Sequence, residues 1–202
     1  MSNKLFSFDY SLKEKFNIKI LAGVDEAGRG CLSGPIVACA VILNGNSSIE
    51  NLKDSKTATS KKRILLFKKI ILSALDISLS ILPVETINKI GLQKANYLVI
   101  KNAVDNLLIK PDLVIVDGYR NPYIKIPQYA LIKADLKSAS VAAASIVAKV
   151  IRDIIMHKYH NIVPEYNFNK NKGYPTKDHI KSILEIGCCE LHRYYAYKFT
   201  KQ

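Results

Sequence analysis

Hydrophobic positions along this chain recur with two periods, one of two residues and one near 3.6, and the order in which the periods switch predicts the elements. Ile18–Asp25 and Pro35–Leu43 are apolar and β-branched, and the short glycine-rich loop between them predicts an antiparallel hairpin. Ile77, Leu79 and Ile81 alternate with polar or small residues and predict a third strand. Between them, Ser60–Leu75 has helical spacing, with Ile64, Ile71 and Leu75 on one stripe and basic residues opposite. A second helix is expected from about Leu92 to Leu108. Leu113–Val116 is a short continuous apolar run ending at Asp117-Gly118, which suits a strand buried on both faces of a parallel segment. Tyr129–Ile132 repeats that pattern. Ser138 to about Lys158 is a long helix rich in Ala and Ile, and Thr176 is placed to N-cap a further helix that Gly187 ends. Strands followed by helices, then two strands and more helices, predict a mixed sheet with helices packed on it, an α/β fold. No repeat or low-complexity linker interrupts the pattern. We therefore expect a single domain over residues 1–202, with a helical C-terminal part from about residue 160.

Composition adds a partner class. The chain has 202 residues, 49% of them hydrophobic, enough for one sizeable core. Thirty Lys and Arg against seventeen Asp and Glu give a formal charge of +13, which favours a polyanion through phosphate neutralisation and counterion release. A solvated basic surface would carry the same charge, so the position of the acids has to decide. Cys31, Cys39, Cys188 and Cys189 show no C-x-x-C spacing, and two of them are adjacent, so free thiols in a reducing cytoplasm are expected. The N-terminal stretch has scattered charges and no apolar signal core, and no segment reaches the ~20 apolar residues of a membrane span. A soluble, cytoplasmic protein without membrane contact is expected.

The sharpest feature is Ala22-Gly23-Val24-Asp25-Glu26-Ala27-Gly28-Arg29-Gly30, where an apolar strand runs into two adjacent acids and then a glycine loop. Neighbours on a regular strand point to opposite faces, so both acids reach one site only if the strand ends or bulges near Glu26. Asp117 ends another strand in the same way. If the first and fourth strands are parallel neighbours, both ends open into the crevice where ligands of α/β sheets bind. Asp135 follows the fifth strand and can approach the same crevice. Clustered carboxylates raise one another's pKa unless cations compensate, and all-oxygen donors suit Mg²⁺ or Mn²⁺. Two such ions roughly 4 Å apart can clamp the attacking and leaving oxygens of a phosphoryl displacement. The rival reading of Gly28-Arg29-Gly30-Cys31-Leu32-Ser33-Gly34 as a dinucleotide loop requires a helix next, whereas Pro35-Ile36-Val37-Ala38 opens a strand.

With these residues in place, the chain resembles the ribonuclease HII family, the type 2 ribonucleases H, from about Leu21 to Arg193. AGVDEAGRG and SGPIVACAVIL, then Asp54-Ser55-Lys56, Val116-Asp117-Gly118, Lys133-Ala134-Asp135, the stretch Ser140–Asp153 and Lys172-Gly173-Tyr174-Pro175-Thr176 occur in family order. Arg29 separates it from the ribonuclease HIII type, and no extra N-terminal domain of that type is expected. The resemblance implies a ribonuclease H-like five-stranded mixed sheet flanked by helices, with a helical C-terminal extension. It further implies an endonuclease cutting RNA in RNA/DNA hybrids and nicking 5′ of single ribonucleotides in duplex DNA, leaving 3′-hydroxyl and 5′-phosphate ends. Asp25, Glu26, Asp117 and Asp135 match the family's metal-binding quartet, which implies two Mn²⁺ or Mg²⁺ ions during catalysis. Gly28, Arg29 and Gly30 match the loop that meets the 2′-hydroxyl and nearby phosphates. Tyr174 matches the tyrosine that stacks on the sugar beyond the ribonucleotide, and Lys56 would contact phosphate. Ser140–Ala148 reads as core, with Lys149 and Arg152 facing substrate and Asp153 as their ion-pair partner.

The sequence departs from the family pattern at Cys31 (usually Pro), Thr57-Ala58 (Lys-Leu), Tyr119 (Asn) and after His192-Arg193, where Ser-Phe is common. These changes touch loop rigidity, one phosphate contact and C-terminal packing, and leave the four acids alone. A monomer is expected, and Phe199-Thr200-Lys201-Gln202 shows no clear peptide for a sliding clamp. Two other readings remain at this point: a catalytically silent hybrid-binding module, and a nucleotide-dependent oxidoreductase of Rossmann type.

Overall fold

A computed structural model describes residues 3–44, 49–50, 52 and 59–200. Helix α1 (Asn3–Phe16) precedes strands β1 (Leu21–Ala27) and β2 (Ile36–Leu43). Helix α2 (Ser60–Ser73) runs directly into β3 (Ala74–Leu82), and helices α3 (Val84–Ile90) and α4 (Leu92–Asp105) lead to β4 (Leu113–Asp117) and β5 (Gln128–Leu131). A 3-10 turn at Ala134–Leu136 comes before the long helix α5 (Ala139–Ile162). The chain closes with a 3-10 turn at Pro164–Tyr166, short α6 (Phe168–Asn171), α7 (Lys177–Ile186) and a last 3-10 helix at Tyr194–Phe199.

The five strands are ordered β3-β2-β1-β4-β5, antiparallel from β3 to β1 and parallel from β1 to β5. This is the mixed sheet the apolar pattern predicts, with β1 and β4 as parallel neighbours. Strand alternation divides the core into two layers. Ala22, Val24, Ala38, Ala40, Val114 and Val116 pack under α4, against Ala95, Val99 and Ala103. Val37, Cys39 and Val41 face the other way, onto Ala143, Ile146 and Val147 of α5 and Leu66 and Ile70 of α2. Gly23 lies on this second face. A Cβ there would stand 2.3 Å from the backbone of Ser140, so glycine lets the start of α5 settle onto β1.

The start of α5 is held twice. Ser138 caps it by accepting from the Val141 N–H, and buried Asp9 of α1 accepts from both the N–H and the hydroxyl of Ser140. Helix α1 was not among the expected elements, although it buries the apolar Leu5 and Leu12, with Phe8 packed against the cluster that holds Leu12. Thr176 and Gly187 cap α7 as predicted, Thr176 accepting from the His179 N–H and Gly187 taking φ 80°.

Two sequence expectations are corrected. The stripe assigned to α2 is not its buried one: Leu66 and Ile70 face the core, while Ile64, Ile71 and Leu75 are 46–50% exposed. The helix stops at Ser73, so Leu75 belongs to the edge strand β3. On that strand Ser78 and Ser80 are buried and Leu79 and Ile81 are partly exposed. Serine is small enough for α4 to approach closely, and the Ser78 hydroxyl donates to the Ala103 carbonyl. The segment after the glycine loop is strand β2, so no helix N-terminus is available there for a dinucleotide pyrophosphate.

Candidate active site

Asp25, Glu26 and Asp117 line one cleft of about 380 Å³, with Ala27, the Gly28-Arg29-Gly30 loop, Arg63, Ser145, Ile146, Lys149 and Tyr174. The strand was expected to end or bulge near Glu26: it does not bulge, and it ends one residue later, at Ala27. Both pair in regular register with β2, Asp25 opposite Cys39 and Glu26 opposite Ala38. The opening comes from the other side, where pairing of β1 with β4 stops at Val24 opposite Val116. The two acids therefore run past the last paired residue of their parallel neighbour. Asp25 reaches the cleft from the α5 face, beside Ser145, and Glu26 from the α4 face, beside Asn96.

Burial pushes the Asp25 carboxyl well above the ordinary carboxylate range, and Glu26 and Asp117 push it further. Its Oδ1 accepts from the Glu26 N–H at 2.8 Å. Glu26 is also raised, first by burial and then by Asp117, while Arg29 pulls it back. Asp117 Oδ1 accepts from the Ala134 N–H at 2.7 Å, tying the end of β4 to the turn that carries Asp135. That turn is entered through Lys133 in the left-handed region at φ 57°, which a non-glycine residue adopts only under constraint. Asp135 itself is buried and does not line the cleft. Among the described residues no three His, Cys, Asp or Glu side chains stand ready as a cage for one ion. The donor chemistry at the cleft nevertheless fits hard divalent cations: the acids lining it offer only oxygen, and their mutual repulsion is what a bound cation relieves.

The glycine loop is fixed from beneath by two buried arginines. Arg152 was expected to face substrate, but it is fully buried. It donates to the carbonyls of Pro35, Lys172 and Ser33 at 2.8–3.1 Å. Its guanidinium also fixes Gly28, where a Cβ would fall 2.0 Å from Arg152 Nε and φ is 95°. Arg193 is equally buried and donates to the carbonyls of Gly28, Arg29, Gly34 and Pro35. Nothing singled it out in the sequence beyond its place in His192-Arg193, because a buried arginine whose partners are distant backbone carbonyls has no local signature. Lys149 does line the cleft, and its Nζ is 2.7 Å from Asp153 as expected; Arg63 lies 3.6 Å from the same acid.

Tyr174 borders the cleft with its ring 5.1 Å from Lys149 Nζ and 5.6 Å from the Arg152 guanidinium. Left-handed Lys172 and Gly173 turn the chain ahead of it, and the Gly173 carbonyl accepts from the Leu32 N–H at 2.8 Å. The Tyr174 carbonyl is 2.9 Å from His179 Nδ1, and His179 Nε2 is 3.1 Å from His192 Nε2. His192 Nδ1 accepts from the Cys189 N–H at 3.1 Å. This order leaves one self-consistent arrangement of protons, with His192 donating to His179 and His179 donating to Tyr174, both rings neutral. Burial and the facing imidazole push His192 down to about 4. Cys31, the departure from proline, is buried below the loop with its Sγ 3.9 Å from the Lys172 carbonyl, and Tyr119 is exposed. Lys56 and Thr57-Ala58 lie outside the described residues.

Solved structures share this architecture. Ribonuclease H2 from Pyrococcus horikoshii OT3 superposes with a TM-score of 0.75 at 27% identity, covering 91% of this chain and 100% of that one. Bst-RNase HIII in complex with Mn²⁺ superposes with a TM-score of 0.72, covering 89% of this chain and 68% of that one; at 21% identity the likeness speaks to the fold alone. Fold and relatives define a hydrolase of the ribonuclease H class. The Ribonuclease HII family model matches residues 22–201. Ribonuclease HII of Caldicellulosiruptor saccharolyticus is 47% identical over 182 residues, 90% of this chain and 88% of the relative. This chain belongs to the ribonuclease HII family.

Proposed function

We propose that the protein is an endoribonuclease that hydrolyses RNA in RNA/DNA hybrids and nicks duplex DNA on the 5′ side of an embedded ribonucleotide. The observation that carries this reading is the convergence of Asp25, Glu26 and Asp117 on a cleft whose rim is the Gly28-Arg29-Gly30 loop and Tyr174. In this reading Asp25, Glu26, Asp117 and Asp135 hold two Mn²⁺ or Mg²⁺ ions. Bound there, the ions would supply charge neutralisation and Lewis acidity for the displacement at phosphorus. Asp135 joins them through the turn that Asp117 already holds.

The side chains around the acids bind and orient. Glycine at 28 and 30 lets the backbone come close to a 2′-hydroxyl, the group that distinguishes RNA from DNA at one position. Arg29 adds positive charge beside Glu26 and toward the phosphates. Tyr174, steadied by the cations around its ring, offers a flat apolar surface to the sugar that follows. Lys56 would add a phosphate contact. The +13 charge draws the duplex in, and binding should weaken as salt rises. Water attacks phosphorus and the 3′-oxygen departs, giving 3′-hydroxyl and 5′-phosphate ends.

Asn at Asp117 or at Asp135 tests the assignment. Each variant should keep its fold, melting no lower than the parent in EDTA, and lose cleavage of a duplex carrying one ribonucleotide, because a neutral amide is a poor ligand where charge has to be balanced. Full activity in both variants would remove the metal-binding role from these acids.

A further inference from the structure

We infer that Arg193 is a positioning residue that holds the carbonyls of Gly28 and Arg29 inward, so that the N–H groups of Arg29 and Gly30 face the cleft as paired donors to a phosphate oxygen. Every peptide bond in the described chain is trans. In a trans peptide the carbonyl of one residue and the N–H of the next lie in one plane and point in opposite directions. Arg193 Nη2 donates to the Gly28 carbonyl at 2.7 Å and Nη1 to the Arg29 carbonyl at 3.0 Å. Those carbonyls point at a fully buried guanidinium that is not part of the cleft lining. The N–H groups of Arg29 and Gly30 therefore point to the opposite, open side, and neither donates a hydrogen bond within the described residues.

Two further observations support an oxyanion as their partner. At Gly30 a Cβ would meet nothing within 4 Å, so no contact inside the described protein requires glycine there, whereas the approach of a ligand to the backbone does. Successive outward N–H groups form a concavity suited to anions, and the guanidinium behind them adds positive charge without competing for the ligand. The Arg193 fork is itself fixed: Nη1 also donates to the Tyr195 hydroxyl at 3.0 Å, and that hydroxyl donates to the Cys31 carbonyl. The Arg193 N–H donates to the Leu32 carbonyl at 2.8 Å, and its neighbour His192 bridges to Ser33. The C-terminal segment thus sets the pose of a loop far away in sequence, which a lysine cannot do because it lacks the planar fork.

This inference rests on the proposed nuclease function, and the test separates the two. Cleavage of a duplex with one ribonucleotide is measured for the parent, Arg193→Lys and Tyr195→Phe, alongside metal-free binding of an all-DNA duplex. We expect kcat/KM to fall at least about tenfold in Arg193→Lys, on the scale of losing an oxyanion donor, with a smaller fall in Tyr195→Phe. Binding of the all-DNA duplex, to which surface charge contributes most, should fall far less than kcat/KM. In the parent protein, amide exchange at Arg29 and Gly30 should be fast and should slow when the ribonucleotide duplex is added in EDTA. A parent that does not cut would count against the nuclease reading. A parent that cuts, with kcat/KM intact in Arg193→Lys or with no slowing at these two amides, overturns the role of Arg193. Should Arg193→Lys fail to fold, Tyr195→Phe and the amide exchange of the parent decide the matter.

Discussion

Two regions of this protein bury charge, and they treat it in opposite ways. At the carboxyl ends of β1 and β4, Asp25, Glu26 and Asp117 face one cleft; burial raises the Asp25 and Glu26 carboxyls, Glu26 and Asp117 push Asp25 further and Asp117 pushes Glu26, with Arg29 as a partial counterweight on Glu26. Beneath the neighbouring glycine loop, Arg152 and Arg193 are equally buried, yet each is surrounded by backbone carbonyls that accept from it. A buried charge that is fully hydrogen-bonded is a structural element, whereas like charges gathered with only partial compensation are held at the expense of stability. The acids should therefore be dispensable for folding and needed for function, whereas the arginines should matter first for folding, and Arg193 also for the pose of the glycine loop.

The largest consequence falls on activity. Asp25→Asn should lower cleavage by about 10³-fold or more, the scale of losing a principal electrostatic contributor. The same change should raise the melting temperature in EDTA. A carboxyl whose folded pKa lies above its unfolded value contributes stability at low pH and loses it as pH rises through the folded pKa, so at neutral pH its ionised form is a burden that Asn removes. A lower melting temperature would contradict the contrast. Arg152→Met is expected to act the other way, destabilising by about 3 kcal/mol or more in urea titration, because several buried carbonyls lose their donor. A change below about 1 kcal/mol would mean that the loop re-pairs without it.

The imidazole pair that supports Tyr174 sharpens the comparison, since it is buried and neutral. His192 is depressed from its ordinary value to about 4, so the unfolded chain binds the additional proton between those pH values. Stability should fall as pH drops from about 6.5 to about 4, by up to about 3 kcal/mol from this group, and His192→Gln should flatten that slope in metal-free melting curves. The smallest effect belongs to the surface. Lys181 and Glu185 are 3.7 Å apart on the exposed side of α7, and Lys181→Ala should shift stability by less than about 0.5 kcal/mol.

How much of this was legible differs between the two regions for a physical reason. Asp25-Glu26 and Asp117 stood out because acids at the ends of apolar strands break a local pattern, while the parallel pairing of β1 with β4 that unites them entered the sequence reading only as a condition and is seen in the fold. Arg152 and Arg193 gave no such signal. Their partners are carbonyls scattered from Gly28 to Lys172, and only the folded chain brings these together, so Arg152 on its helix read as a surface cation facing substrate. The same limit explains α2 and β3, where apolar spacing alone pointed to Ile64 and Leu79 although packing against α5 and α4 selected Leu66 and Ser78. Helix α1, with its scattered charges, became recognisable only through Asp9 docking on Ser140.

The most direct test of the central claim is cleavage of a labelled DNA duplex carrying a single ribonucleotide, with the ends of the products mapped. With Mn²⁺ or Mg²⁺ a single nick on the 5′ side of the ribonucleotide is predicted, leaving a 3′-hydroxyl and a 5′-phosphate, and EDTA should abolish it. An intact strand in both metals, or undiminished cutting in EDTA, would contradict the account.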